Sequence, residues 1–275
     1  MTKTIKIASV KLLAFIMIVP AIAVKSNAQE DSAQVAYYTG RSVRYHPDGT
    51  VGSVSFHGLM QYGLVNAYPK ELEMDFQRYE GELGWVVDDY VNLTARFQTV
   101  DQDSLRYELS GGLKIYLTNP SSTERDKNAD GPVGSPVISL AAGIRYPDLS
   151  ISDTRSVGDA AILVPLSQRL TVLAGYRYFE EIEQFDVAQA YGGFNIYLSP
   201  YSSDSAYVNP DGPTGKLALK LLGGGSSKGV FGDLMLLFPI SDKLTWRLNV
   251  RGERTDSPYR RSAIAGAGFS YYPAN

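Results

Sequence analysis

Leu244, Trp246, Leu248 and Val250 alternate with Thr245, Arg247, Asn249 and Arg251, so one face of this segment is apolar and the other polar and charged. A period of two is the signature of a β-strand exposed to different media on its two sides, and no helix separates residues in this way. The same alternation runs through Leu170, Val172, Ala174, Tyr176 against Thr171, Leu173, Gly175, Arg177, and through Leu93, Ala95, Phe97 against Thr94, Arg96, Gln98.

These segments belong to a unit of roughly 75 to 80 residues that occurs three times. The copies register on Gly81-Glu82, Gly158-Asp159 and Gly232-Asp233, and on Leu93-Thr94, Leu170-Thr171 and Leu244-Thr245. They register again on the runs from Gly112 to Leu117, Gly193 to Leu198 and Gly268 to Tyr272. Each copy opens on an Asp-Gly turn, Asp48-Gly49, Asp130-Gly131 or Asp211-Gly212, with a second glycine at Gly52, Gly134 or Gly215.

Alternation and turn signals together predict twelve strands, at about 52–64, 72–87, 91–100, 105–118, 135–146, 155–165, 169–179, 186–199, 216–224, 229–239, 243–253 and 262–272. Short turns at Val87-Asp88-Asp89, Pro165 to Gln168 and Pro239 to Asp242 carry the Pro, Ser and Asp that β-turns favour, which makes the strands they join antiparallel. Connectors at the opposite end, such as Gln98 to Ser104 and Glu180 to Asp186, read as about five to ten residues.

Lys3, Lys6 and Lys11 precede an apolar run from Leu12 to Val24, and Ser26-Asn27-Ala28 supplies small residues for cleavage. Residues 1–28 are therefore expected to be a signal peptide, 29–51 a lead-in, and 52–275 one barrel domain. The apolar run is too short for a helix across a hydrocarbon layer of about 30 Å. There is no cysteine, which removes disulfides and thiolate metal sites. A net charge of −3 argues against a nucleic-acid partner, because phosphate binding needs concentrated basic surface.

Twelve amphipathic strands fit either a soluble sheet with its apolar side inward or a closed barrel with its apolar side facing lipid. The polar face decides for the barrel. It holds small residues (Ser139, Ala141, Gly143, Gly193, Gly266, Gly268) that suit a concave wall, and few charges. Tyr62, Trp85, Tyr116, Tyr146, Tyr197, Trp246, Tyr271 and Tyr272 near strand ends read as interfacial girdles. Closure also gives every backbone amide a partner in lipid, which an open edge does not.

In its signal segment, period-two strands, tight turns on one side and Gly- and Tyr-rich wall, the chain resembles a bacterial outer-membrane β-barrel protein. The resemblance implies an outer-membrane location, contact with lipid and with the barrel assembly machinery, and no particular family within the class. Such proteins commonly end on an aromatic residue, whereas this chain continues past Tyr272 with Pro273-Ala274-Asn275.

Inward charges are the candidate functional residues: Glu82, Asp159 and Asp233 with Arg96, Arg177, Arg247 and Arg251, joined by Lys114, Lys220 and Glu108. Glu82 is expected to meet Arg96 and Asp233 to meet Arg247, with Arg177 or Arg155 serving Asp159. These read either as pairs that zip the interior or as a constriction that selects small polar solutes. Asp126 to Gly131 matches the first half of a calcium loop, but position twelve is Val137 instead of Glu, so the segment reads as a turn and no metal or cofactor is expected.

Catalytic signatures are sparse. His57, beside Ser55 and Ser53 on the first strand, would face inward, away from lipid. The reading is a narrow passive channel for small polar solutes, with a non-conducting structural or complex-forming barrel second and a lipid-active enzyme third.

Overall fold

The structure, a computed structural model, describes residues 46–49, 51–67, 74–101, 105–120, 126–146, 154–180, 186–200, 209–226, 229–256 and 259–273. The expected signal peptide and most of the lead-in lie outside these residues. The strands are β1 Val54–Ala67, β2 Met74–Val86, β3 Val91–Asp101, β4 Leu105–Tyr116, β5 Lys127–Asn128, β6 Gly131–Pro132, β7 Val137–Tyr146, β8 Arg155–Ser167, β9 Leu170–Glu180, β10 Asp186–Tyr197, β11 Ala218–Ser226, β12 Gly229–Pro239, β13 Leu244–Asp256 and β14 Tyr259–Tyr271. Twelve of them close into a barrel in which each strand pairs antiparallel with its neighbours, β1 with β14 completing the ring. The sequence does not anticipate the two-residue strands β5 and β6, which pair with each other in a separate two-stranded sheet.

The alternation sorts the two faces as the pattern requires. Trp246, Leu248 and Val250 are 57%, 49% and 57% exposed, while Thr245 and Asn249, on the other face, are 0% and 2% exposed. Met60, Tyr62, Leu64, Leu83, Leu109, Leu140, Ile162, Tyr176, Phe194 and Val230 continue the outward apolar belt around the ring. An apolar exterior over a polar interior is the arrangement of a barrel that sits in lipid.

The aromatic girdle is smaller than the sequence suggests. Trp85, Trp246 and Tyr62 do face outward, but Tyr116, Tyr197 and Tyr272 are buried inside the barrel. Alternation alone assigns Tyr116 and Tyr197 to the polar face, and their hydroxyls have partners there, described below.

Strand register also moves the first copy. The Tyr116, Tyr197 and Tyr272 amides donate to the carbonyls of Tyr90, Arg169 and Lys243, which makes Val91, Leu170 and Leu244 equivalent. Leu93-Thr94 therefore stands two residues beyond the position of Leu170-Thr171. By the same count, the residue matching Asp159 and Asp233 is Glu80 and not Glu82: Glu80 lies opposite Gln98, Asp159 opposite Arg177 and Asp233 opposite Arg251.

Some far-end connectors are shorter than expected because the strands run on: β3 reaches Asp101 before β4 starts at Leu105, and β11 reaches Ser226 before β12 starts at Gly229, whereas Glu180 to Asp186 keeps the expected length. The long connections, from Tyr116 to Val137 and from Tyr197 to Ala218, leave from and return to the end that carries the tight turns.

Inner-wall glycines make room for side chains and neighbouring strands. A Cβ on Gly193 would fall 1.9 Å from the Leu221 carbonyl oxygen, and one on Gly268 2.0 Å from that of Gly58, so the sheet turns sharply inward at both places. Elsewhere a glycine lets a long side chain cross a strand. Gly175 lies under the Tyr191 ring, where an added Cβ would fall 2.3 Å from the ring's Cζ, and the Tyr191 hydroxyl reaches over β9 to Asp159 on β8.

Candidate functional site

At the tight-turn end, three Asp-Gly turns fold into the mouth of the barrel and carry their acids inward. Gly49, Gly131 and Gly212 take φ of 112°, 147° and 130°, and Gly52, Gly134 and Gly215 take 86°, 77° and 74°, a region that favours glycine over any residue with a Cβ. The Gly52, Gly134 and Gly215 amides donate to the Val86, Pro165 and Pro239 carbonyls, all at 2.7 Å, stitching each turn to the end of a barrel strand.

Each inward acid accepts from a tyrosine. Tyr116 donates to Asp48 at 2.5 Å, Tyr197 to Asp130 at 2.9 Å and Tyr272 to Asp211 at 3.0 Å. Further donors differ from turn to turn. Lys114 Nζ lies 2.7 Å from Asp48, Asn195 Nδ2 donates to Asp130 at 2.9 Å, and Arg247 donates to Asp211 at 3.3 Å.

Behind the acids, Asn128 and Asn209 each accept from the backbone amide two residues on, at 2.9 and 2.8 Å, and donate to the Ser167 and Ser241 carbonyls at 2.8 Å. Thr171 and Thr245 donate to the same two asparagine oxygens at 3.3 and 2.9 Å. In the first turn His46 takes the asparagine's place, accepting from the Asp48 amide through Nδ1 at 3.2 Å and packing edge-on against Tyr116.

Burial alone would raise the carboxyl pKa of Asp48, but Lys114, His46 and the Tyr116 hydrogen bond outweigh it and hold the group below the ordinary carboxylate range. Asp211 is likewise held low against its burial, by Arg247 and Lys220. Burial pushes the His46 imidazole down, with Asp48 opposing. Burial and then Asp211 push the Tyr272 hydroxyl up.

Above this floor a cavity of about 1030 Å³ extends past Arg96, Glu108 and Arg177 to Ser226, Gly229 and Arg254 at the far rim. Its wall holds a second tier of ion pairs. Arg96 lies 2.7 Å from Glu80, Arg145 2.7 Å from Glu108, Arg177 2.8 Å from Asp159 and Arg251 3.7 Å from Asp233. Arg251 also meets Glu253, and Arg78 lies 3.9 Å from Glu80. Gln61 reaches Asn249 across β14, over Gly266, and Asn249 donates to Asp233 at 2.6 Å.

All seven residues singled out in the sequence line this lumen, but their partners differ from the expected ones. Glu82 lies directly opposite Arg96 in register, yet the guanidinium leans one diagonal step to Glu80. Asp233 lies opposite Arg251, while Arg247 sits nearer the turns and joins Asp211. Asp159 does meet Arg177. The turn acids themselves were missed as a site. Their signal was the recurrence of Asp-Gly with a second glycine, together with a tyrosine at a fixed place in each copy.

His57 faces the lumen, with Nδ1 3.0 Å from Arg247 Nη2 and Nε2 3.4 Å from Ser55 Oγ. A guanidinium only donates, so Nδ1 accepts and the ring proton sits on Nε2, toward the serine. A base that activates serine has the opposite tautomer, with Nδ1–H donated to a carboxylate.

No protein-family profile matches the sequence, and no curated protein matches it. Among solved structures, an outer membrane channel from Pseudomonas putida F1 superposes with a TM-score of 0.55 at 10% identity, over 81% of this chain and 96% of that one. The KdgM porin in complex with oligogalacturonate gives 0.47 at 8% identity, over 79% and 98%. The translocator domain of the autotransporter NalP from Neisseria meningitidis gives 0.41 at 12% identity, over 92% and 97%. With its closed twelve-strand ring, apolar outside and charged inside, the chain carries the fold of outer-membrane β-barrel proteins.

Proposed function

We propose that the protein is a passive channel of the bacterial outer membrane through which small polar solutes diffuse. One observation carries this reading: the charged cavity runs from the turn acids Asp48 and Asp211 to Arg254 and Ser226 at the opposite rim. A lumen of this kind replaces part of a solute's hydration with wall dipoles and ion pairs, and transport through it needs no turnover. Acids and bases alternate along the wall, so solutes are sorted by size and polarity more than by the sign of their charge.

Export would begin with cleavage after Ala28, and insertion would pass through the barrel assembly machinery, leaving lipid against the apolar belt. The seven residues Glu82, Arg96, Asp159, Arg177, Asp233, Arg247 and Arg251 are assigned to the lumen wall, most of them in pairs that hold its shape.

A second reading, a non-conducting structural barrel, has its own support, because the three turns fill space in one mouth and their residues at 128–132 and 209–212 are buried. Single-channel recording of the refolded protein in a planar bilayer separates the two. Discrete conductance steps are expected, and a folded, inserted barrel that passes no current rejects the channel.

A further inference from the structure

The lumen has a neck. A second cavity, of about 180 Å³, lies at the tier of ion pairs, and Leu222 on β11 and Arg96 on β3 both line it. Those strands stand six steps of twelve apart in the ring, through β10, β9, β8, β7 and β4, so walls that face each other across the full diameter touch one small space.

The two sides of this neck differ in chemistry. Leu222 and Met235 place hydrocarbon on a face that is otherwise polar, and they are diagonal neighbours on β11 and β12, because Met235 pairs with Lys220, two residues before Leu222. Nearly opposite, Gln61 on β1 and Arg78 on β2 lie directly across from each other in register. Asn249 donates its amide to Asp233 and accepts from Gln61 through its own oxygen, which leaves the buried Gln61 oxygen without a donor among the described residues. The charge of Arg78 is balanced by Glu80 at 3.9 Å, too far for a hydrogen bond, and among the described residues its guanidinium makes none. An unmet acceptor therefore adjoins an unmet set of donors, and each costs free energy until a partner arrives.

A hydroxyl is that partner, because a single oxygen accepts from Arg78 and donates to Gln61. A carboxylate only accepts and an ammonium only donates. The facing hydrocarbon calls for C–H surface, and a pyranose ring offers both, with hydroxyls around its rim and C–H groups gathered on a face. A cavity of about 150 Å³ takes a benzene ring, so the neck holds one six-membered ring at a time. We infer that the neck is a binding site for a single uncharged monosaccharide, with Arg78 and Gln61 on its hydroxyls and Leu222 and Met235 against its C–H face. The inference rests on the channel reading and deepens it by naming the class of solute.

Single-channel current through the refolded protein reads occupancy, because a sugar in the neck interrupts the ion flow. D-glucose is expected to block at a lower concentration than mannitol, an open-chain polyol of similar size whose C–H groups are not gathered on a face. Leu222→Asn is expected to raise the half-blocking glucose concentration about tenfold, the effect of losing one apolar contact in a pocket. Arg78→Lys keeps the charge and leaves Glu80 its 2.7 Å contact with Arg96. It is expected to raise the glucose value about fivefold, the worth of one hydrogen bond. Neither variant is expected to move the mannitol value. Val157→Thr changes a residue that lines the wider cavity but not the neck, and is expected to leave both values unmoved. Heat-dependent migration on a gel verifies that each variant is folded. If glucose and mannitol block alike, if the two neck variants leave the glucose block unchanged, or if Val157→Thr shifts it as far, this inference is overturned and the channel stands. If the folded, inserted wild type passes no current, the channel reading falls and takes the inference with it.

Discussion

Tyr272 donates its hydroxyl to Asp211 at 3.0 Å, joining the residue that follows the last barrel strand to a turn 61 positions earlier in the chain. Tyr116 and Tyr197 make the same bond to Asp48 and Asp130, so the three turns are held in the mouth by three equivalent latches. Each latch buries a carboxylate whose hydrogen bonds replace the water it gave up.

Removing the phenolic hydroxyl should therefore weaken the barrel. Tyr116→Phe, Tyr197→Phe and Tyr272→Phe are each expected to cost about 1–3 kcal/mol, the penalty of leaving a buried acceptor short of a donor. Tyr197→Phe should be the most damaging, because no cation among the described residues is bonded to Asp130 to share the load. Urea unfolding followed by tryptophan fluorescence would measure the three, and equal stability of all three with wild type would refute the latch.

Acid should loosen the two cation-bound turns. Asp48 and Asp211 have folded pKa values below those of the unfolded chain, so their stabilisation is complete above the ordinary carboxylate range and is lost as pH falls below about 4. His46 is also lowered, by burial, so it binds its proton more weakly folded than unfolded, and its contribution fades as pH falls through about 6.5. Thermal unfolding followed across pH 7 to 3 should show both losses, and Asp211→Asn should flatten the lower one.

Register fixes which pairs are coupled. A double-mutant cycle of Asp211→Asn with Arg247→Gln is expected to show a coupling of about 1–3 kcal/mol, since both side chains are largely buried. Asp233→Asn should couple to Arg251→Gln and be additive with Arg247→Gln. The reverse pattern in stability measurements would mean that β12 and β13 are shifted by four residues.

Glycine substitutions should separate crowded wall positions from open ones. Gly193→Ala places its new carbon against the Leu221 carbonyl, which cannot swing away, and is expected to cost about 1–3 kcal/mol or to block folding. Gly81→Ala and Gly232→Ala meet nothing within 4 Å and should leave stability within about 0.5 kcal/mol of wild type. Gly175→Ala should displace Tyr191 from Asp159, and the urea midpoint would register that lost bond.

Much of this architecture was legible in the residues. Alternation of Leu244, Trp246, Leu248 and Val250 with their polar neighbours fixed the outward face, and recurring turn signals fixed the number of barrel strands. Both are local properties of the chain, set by the pleat and by backbone torsions. The partners of Arg96 and Arg247 were not legible. A shift of two residues between neighbouring strands preserves every inward and outward assignment, so the pattern that reveals the face is blind to the register. Tertiary structure decided that Glu80 stands where Glu82 was expected, and that Arg247 serves a turn instead of Asp233.

Sequence by itself determined that this chain is a ring of amphipathic strands with charge enclosed and hydrocarbon outside, because side-chain direction in a strand follows from position parity alone. Only the folded ring decided that Asp48, Asp130 and Asp211 enter the lumen, and that Tyr116, Tyr197 and Tyr272 turn inward to hold them. Those outcomes depend on how far a side chain reaches across neighbouring strands and on where a turn folds back, and neither is encoded in any one segment.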